Sequence, residues 1–139
     1  WIFLRKMKER NKGGILNVAS VASFQSGGPL MATYYASKSF VLTFTEGIRE
    51  EMRDSNVRIS TLCPGPTMTE FEKMEEISGI FNKMKTMSAK KVAEIAYKDF
   101  SRGKSIIIPG KLNKIAVFFG KFIPRNLALK IVKKIQEKK

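Results

Sequence analysis

The chain has 139 residues, with 26 Lys and Arg against 12 Asp and Glu, a single Cys and no His. Its 43% hydrophobic content is too high for a disordered chain, and the length suits one domain with its own core. Without imidazole, His bases, His-assisted nucleophiles and His-ligated zinc are excluded; one Cys builds neither an internal disulfide nor a four-Cys site, and no metal is expected.

Residues 1–12 read as the back end of a helix, because Arg5, Lys6, Lys8, Arg10 and Lys12 crowd towards Gly13-Gly14. Ile15 to Ser20 is a short, mostly apolar strand. Its lack of polar alternation suits a strand buried on both faces of a parallel sheet. Ser23 to Pro29 is a loop. A helix then runs from about Ala32 to Arg53, with Ala36, Phe40, Phe44, Ile48 and Met52 drawing one apolar stripe.

Asp54-Ser55-Asn56 ends that helix, and Val57 to Cys63 forms a β-branched strand closed by Pro64-Gly65-Pro66. Residues 67–87 are expected to be loop with short helical turns. Ser88 caps a helix to about Phe100, with Val92, Ile95, Ala96 and Phe100 facing inward. Ser105 to Gly110 is a further strand, and a basic helical tail follows. Strands alternating with helices give an α/β class with a parallel sheet covered on both faces. The start turns charged after four apolar residues, and no run approaches the about 20 needed to span a bilayer. A soluble, cytoplasmic protein is the expectation.

One helix carries Tyr34, Tyr35 and Lys38. Tyr34 and Lys38 are four apart and share a face; Tyr35, three from Lys38, could in principle substitute but points to a neighbouring one. An ammonium beside a phenol favours phenolate, and such a phenol can exchange a proton with a carbonyl or alcohol oxygen. Tyr–Lys pairs at this spacing are common in ordinary helices, so their surroundings decide. The strand before this helix ends in Asn17-Val18-Ala19-Ser20, and the strand after it in Cys63-Pro64-Gly65-Pro66-Thr67-Met68-Thr69. In a parallel sheet both strand ends and the start of the intervening helix lie on one carboxyl edge, where α/β proteins bind ligands.

This ordered set resembles the short-chain dehydrogenase/reductase family, and specifically its carboxyl-terminal half. The resemblance implies a Rossmann-like doubly wound sheet, here incomplete at about three strands and occupying residues 1–110. It implies hydride transfer between NADP or NAD, with NADP favoured, and a carbonyl or secondary alcohol. By the same resemblance Tyr34 is the catalytic acid/base, while Lys38 supports it and hydrogen-bonds the nicotinamide ribose. Ser20 would polarise the substrate oxygen. Pro64, Gly65 and Thr67 would pass along the nicotinamide, with Thr69 towards the carboxamide or phosphate. Ser23 or Ser26 could take the place of Ser20, Pro64-Gly65-Pro66 could be a plain turn, and Gln25 and residues 68–87 could line a substrate pocket.

The family's Thr-Gly-x-x-x-Gly-x-Gly turn does not occur here, nor does the Asn expected on the helix before Ser20. With Trp at position 1, the expectation is a piece of a longer reductase, inactive by itself; the alternative is a degenerate, non-catalytic subunit. From Lys111 onward nine Lys or Arg stand against one Glu, so eight of the fourteen net charges sit in the tail. Residues 111–139 read as two amphipathic helices hinged at Pro124, packed on the domain or on a partner, with contact to a membrane surface as the rival. No nucleic-acid motif accompanies the charge, so no nucleic-acid partner is expected. A homo-oligomer of the complete protein is implied by the family resemblance.

Overall fold

The computed structural model describes residues 2–68 and 86–137. Helix α1 (Ile2–Glu9) leads to strand β1 (Gly13–Val18), a 3-10 turn (Val21–Phe24) and helix α2 (Ala32–Glu51). Then come β2 (Val57–Leu62), the two-residue strands β3 (Thr67–Met68) and β4 (Met87–Ser88), α3 (Ala89–Ser101), β5 (Ile106–Ile107), α4 (Lys111–Gly120) and α5 (Arg125–Gln136). The main sheet has the order β1-β2-β5, all parallel, with Ile15 beside Ile59 and Thr61 beside Ile106. β3 and β4 pair parallel in a separate two-stranded sheet.

Alternation along the strands divides the core between the two faces. Val57 and Ile59 pack with Leu4 of α1, with Ile48 of α2 and with Met52 just beyond it. Leu62 turns the other way, towards Val92 and Ala96 of α3 and Ile107. A sheet covered on both faces needs strands without a polar side, and the buried run from Ile59 to Cys63 supplies one. Two of its polar members are accommodated differently: Ser60 Oγ donates to the Lys104 carbonyl at 2.7 Å, while Thr61 Oγ1 is buried without a partner among the described residues.

Three expectations shift. Gly13-Gly14 does not terminate α1; Asn11 does so, in the left-handed region at φ 48°. The two glycines open β1 because a Cβ on Gly13 would strike Met7 Cγ at 2.6 Å, and one on Gly14 would strike Phe100 Cζ at 2.6 Å. The apolar stripe of α2 faces the sheet only at its far end, through Ile48 and Met52. Phe40 is 67% and Phe44 50% exposed, with their rings stacked at 5.7 Å, whereas Val41, Leu42, Thr45 and Ile48 turn inward. The strand expected over 105–110 shortens to two residues, although Ser105 and Ile107 carbonyls both take ladder bonds, from Thr61 and Cys63, at 2.8 Å.

Ser88 caps α3 as anticipated, its Oγ accepting from the Lys91 N–H at 3.3 Å. The loop expected over 67–87 falls almost wholly on residues 69–85, outside the described residues.

Candidate active site

The ladder between β1 and β2 outlasts both strands. Ala19 N–H donates to the Leu62 carbonyl at 2.8 Å, and Val21 N–H to the Pro64 carbonyl at 3.0 Å. Ser20 is thereby held beside Cys63 and Pro64 at the carboxyl edge. Its Oγ accepts from the Ala22 N–H at 3.1 Å and caps the 3-10 turn. Among the described residues this hydroxyl only accepts, which leaves its own proton for donation.

That turn is tied to the helix carrying Tyr34 and Lys38. Ser23 Oγ donates to the Lys38 carbonyl at 2.8 Å, and Ser39 Oγ donates to the Ser23 carbonyl at 3.1 Å. Farther along, Asn17 Nδ2 donates to Thr45 Oγ1 at 2.9 Å, joining β1 to α2 a second time. Lys38 Nζ lies 5.8 Å from the Tyr34 ring centroid, and both side chains are half-buried. Neither the Tyr34 hydroxyl nor the Lys38 ammonium has a hydrogen-bond partner among the described residues.

Tyr35 is engaged elsewhere. Its ring covers Gly28, where a Cβ would come within 2.1 Å of the ring, and Gln136 Nε2 donates to its hydroxyl at 3.3 Å. Burial pushes its pKa above the ordinary phenol value, opposed by the Gln136 hydrogen bond. Cys63 is fully buried, and burial pushes its thiol up to about 12, although the Ser20 backbone N–H favours the thiolate.

The turn after β2 serves its own packing on one side. Thr67 Oγ1 donates to the Gly65 carbonyl at 2.9 Å, and the place of a Gly65 Cβ is taken by the Asn113 amide, which donates to the Pro109 carbonyl at 2.7 Å. The glycine at 65 is therefore explained by Asn113 on that side, without a ligand. Tyr34 and Lys38 are the part of the set whose polar heads suit an added group. Thr69 lies outside the described residues.

A cleft of about 470 Å³ opens beside this region, lined by Phe24, Gln25, Tyr35, Ala36 and Arg125 among others. It borders Tyr35; Ser20, Tyr34 and Lys38 do not line it. A second hollow, of about 780 Å³, lies at the opposite edge of the sheet around Lys12, Gly13, Arg49 and Arg58. Arg49 is already spent there, on the Ile59 and Gly103 carbonyls at 2.6 and 3.3 Å. Sequence reasoning missed the Tyr35–Gln136 and Gly65–Asn113 contacts. No local pattern announces a contact between residues 101 positions apart.

The parallel sheet, its flanking helices and the residues gathered on its carboxyl edge define a Rossmann-like α/β protein. Residues 1–78 match the family model described as short chain dehydrogenase. The chain belongs to the short chain dehydrogenase family of oxidoreductases. It is 29% identical over 111 residues to the NADP-dependent 3-hydroxy acid dehydrogenase of Schizosaccharomyces pombe, covering 74% of this chain and 42% of that protein. Its fold is similar to a short chain dehydrogenase from Burkholderia cenocepacia J2315 in complex with NADP (TM-score 0.72, 23% identity, 96% of this chain and 52% of that one). It is also similar to one from Burkholderia phymatum in complex with NAD (TM-score 0.68, 23% identity, 84% and 50%). The chain thus spans about half the length of these structures and less than half of the curated relative.

Proposed function

We propose that this chain carries the carboxyl-terminal, catalytic half of an NAD(P)-dependent dehydrogenase/reductase, with residues 1–110 as the half-domain and 111–139 as a tail packed on it. The carrying observation is the pair of ties that hold the Ser20 turn against both the Pro64 turn and the Lys38 helix. They support one catalytic group made of Ser20, Tyr34 and Lys38.

A nicotinamide cofactor, when held beside Lys38 and the Pro64 turn, would supply or accept the hydride. The Tyr34 hydroxyl donates its proton to the substrate oxygen during reduction and takes it back during oxidation. Lys38, on the same face of α2 with its Nζ 5.8 Å from the Tyr34 ring, supports Tyr34 and offers donors to a ribose hydroxyl. Ser20 holds the substrate oxygen with the proton its cap leaves free, a donor aimed at developing charge. Ser23 suits that task less well, its proton being committed to the Lys38 carbonyl. Pro64, Gly65 and Thr67 would border the nicotinamide. The substrate is a carbonyl compound or secondary alcohol, the cofactor NADP or NAD with NADP favoured, and the whole protein a cytoplasmic homo-oligomer. By itself the 139-residue chain lacks the phosphate-binding turn and is expected to turn over little or nothing.

The test separates the two phenols. In the whole protein, Tyr34→Phe should lower turnover by a factor of about 10²–10⁴ while dinucleotide affinity stays near wild type. Tyr35→Phe should keep its turnover. Full activity in Tyr34→Phe would overturn the assignment.

A further inference from the structure

The tail meets the body of the protein with one side only. Val117 of α4 and Ala128, Val132 and Gln136 of α5 are buried. Gln136 reaches Tyr35, Leu129 lies against Gly27, and Arg125 Nη2 approaches the Ser26 carbonyl at 3.5 Å. Packing on the body therefore accounts for that side and leaves another uncovered.

On α4 and in the turn after it, Ile115, Phe119 and Phe122 recur at helical spacing and are 53%, 62% and 72% exposed. Phe118 joins them, 5.4 Å from the Phe119 ring and 5.5 Å from that of Phe122. Leu127, Ile131 and Ile135 draw a second exposed row along α5. Clusters of exposed large apolar side chains rimmed by charge mark interaction sites. Lys111, Lys114, Lys121, Lys130, Lys133 and Lys134 of the same segment are all exposed, with Glu137 beside Lys133 as the acid among them.

We infer that the outer face of α4 and α5 docks in the plane of an anionic lipid surface, the aromatic row entering the headgroup boundary and the Lys row meeting lipid phosphates. Charge complementarity selects this occupant. A second copy of the same face would set six lysines against six, and a nucleic acid would leave the Phe and Ile rows in water. A helix that lies on a membrane joins an apolar row to a basic flank, as these do. Helices of 10 and 12 residues broken at Pro124 lie on a bilayer and do not cross it, and no helix among the described residues is long and apolar enough to span one.

The test is flotation of the whole protein with vesicles of phosphatidylcholine and phosphatidylglycerol in equal parts, against phosphatidylcholine alone. Binding to the anionic vesicles only, weakened by 0.5 M salt, is expected. Phe119→Ser with Phe122→Ser, and separately Lys121→Gln with Lys130→Gln, should each reduce it about tenfold while circular dichroism and melting temperature stay unchanged. If the first double variant does not fold, the Lys pair and the salt series still decide. No flotation, equal flotation with neutral vesicles, or binding untouched by the Lys pair would overturn the inference. So would a dimer without vesicles that the Phe variants convert to monomer. Tyr34→Phe should float like wild type, so a failure here is distinct from a failure of the catalytic assignment.

Discussion

Two adjacent phenols on α2 differ in everything that matters for proton transfer. Tyr35 spends its ring on Gly28 and its hydroxyl on Gln136, and burial holds its proton more firmly than an ordinary phenol would. Tyr34 keeps its hydroxyl unengaged among the described residues and its ring beside Lys38. Spacing sets Tyr34 on the face of Lys38 and Tyr35 on a neighbouring one; the contact that engages the Tyr35 hydroxyl comes from a residue in the last helix. Cys63 makes the complementary case of a reactive side chain put out of use. Its thiol sits next to Ser20 at the candidate site, yet burial raises it to about 12, so thiolate is scarce near neutrality. Labelling by a thiol-specific reagent at pH 8 should be slow in the native protein and complete within minutes in denaturant. Rapid native labelling would show that this edge of the sheet opens.

At the scale of elements, periodicity identifies a helix more readily than the side it buries. The stripe from Ala36 to Met52 is regular, but its two large members point to solvent, because Leu42 and Thr45 fit the close approach to the sheet better than phenylalanine rings would. The inward face of α3 was legible, since Val92 and Ala96 have no competing apolar row on that helix. The same helix ends on an ion pair. Asp99 Oδ1 meets Lys104 Nζ at 2.8 Å, and this hydrogen bond, against some cost of burial, holds the Asp99 carboxyl below its ordinary value. A carboxylate lowered by folding contributes stability above its unfolded pKa, which is lost as pH falls through the folded value. Asp99→Asn should therefore lower the melting temperature at pH 7, and the gap to wild type should narrow in acid below the ordinary carboxylate range. A gap that does not change with pH would point to packing at Asp99 and not to its charge.

For the molecule as a whole, the α/β class and the parallel sheet followed from the alternation of apolar strands with helices, whereas the long contacts did not. A fluorescence titration of the 139-residue chain with NADPH should show no saturable binding, since no Gly-rich turn is present to grip the pyrophosphate. Saturation at micromolar NADPH would place the main binding energy in residues 1–110. The bond from Gln136 to Tyr35 bears on how such a chain acquires its shape. It closes a loop spanning 101 positions, so its partners meet only after the sequence between them has condensed. The pairing of β1 with β2 spans 44 positions and can precede it. The clamp on Tyr35 should accordingly be among the last contacts formed and the first released. In hydrogen exchange, the amides of α5 would then open before those of the sheet, with Tyr35 left as the seam between an early core and a late tail.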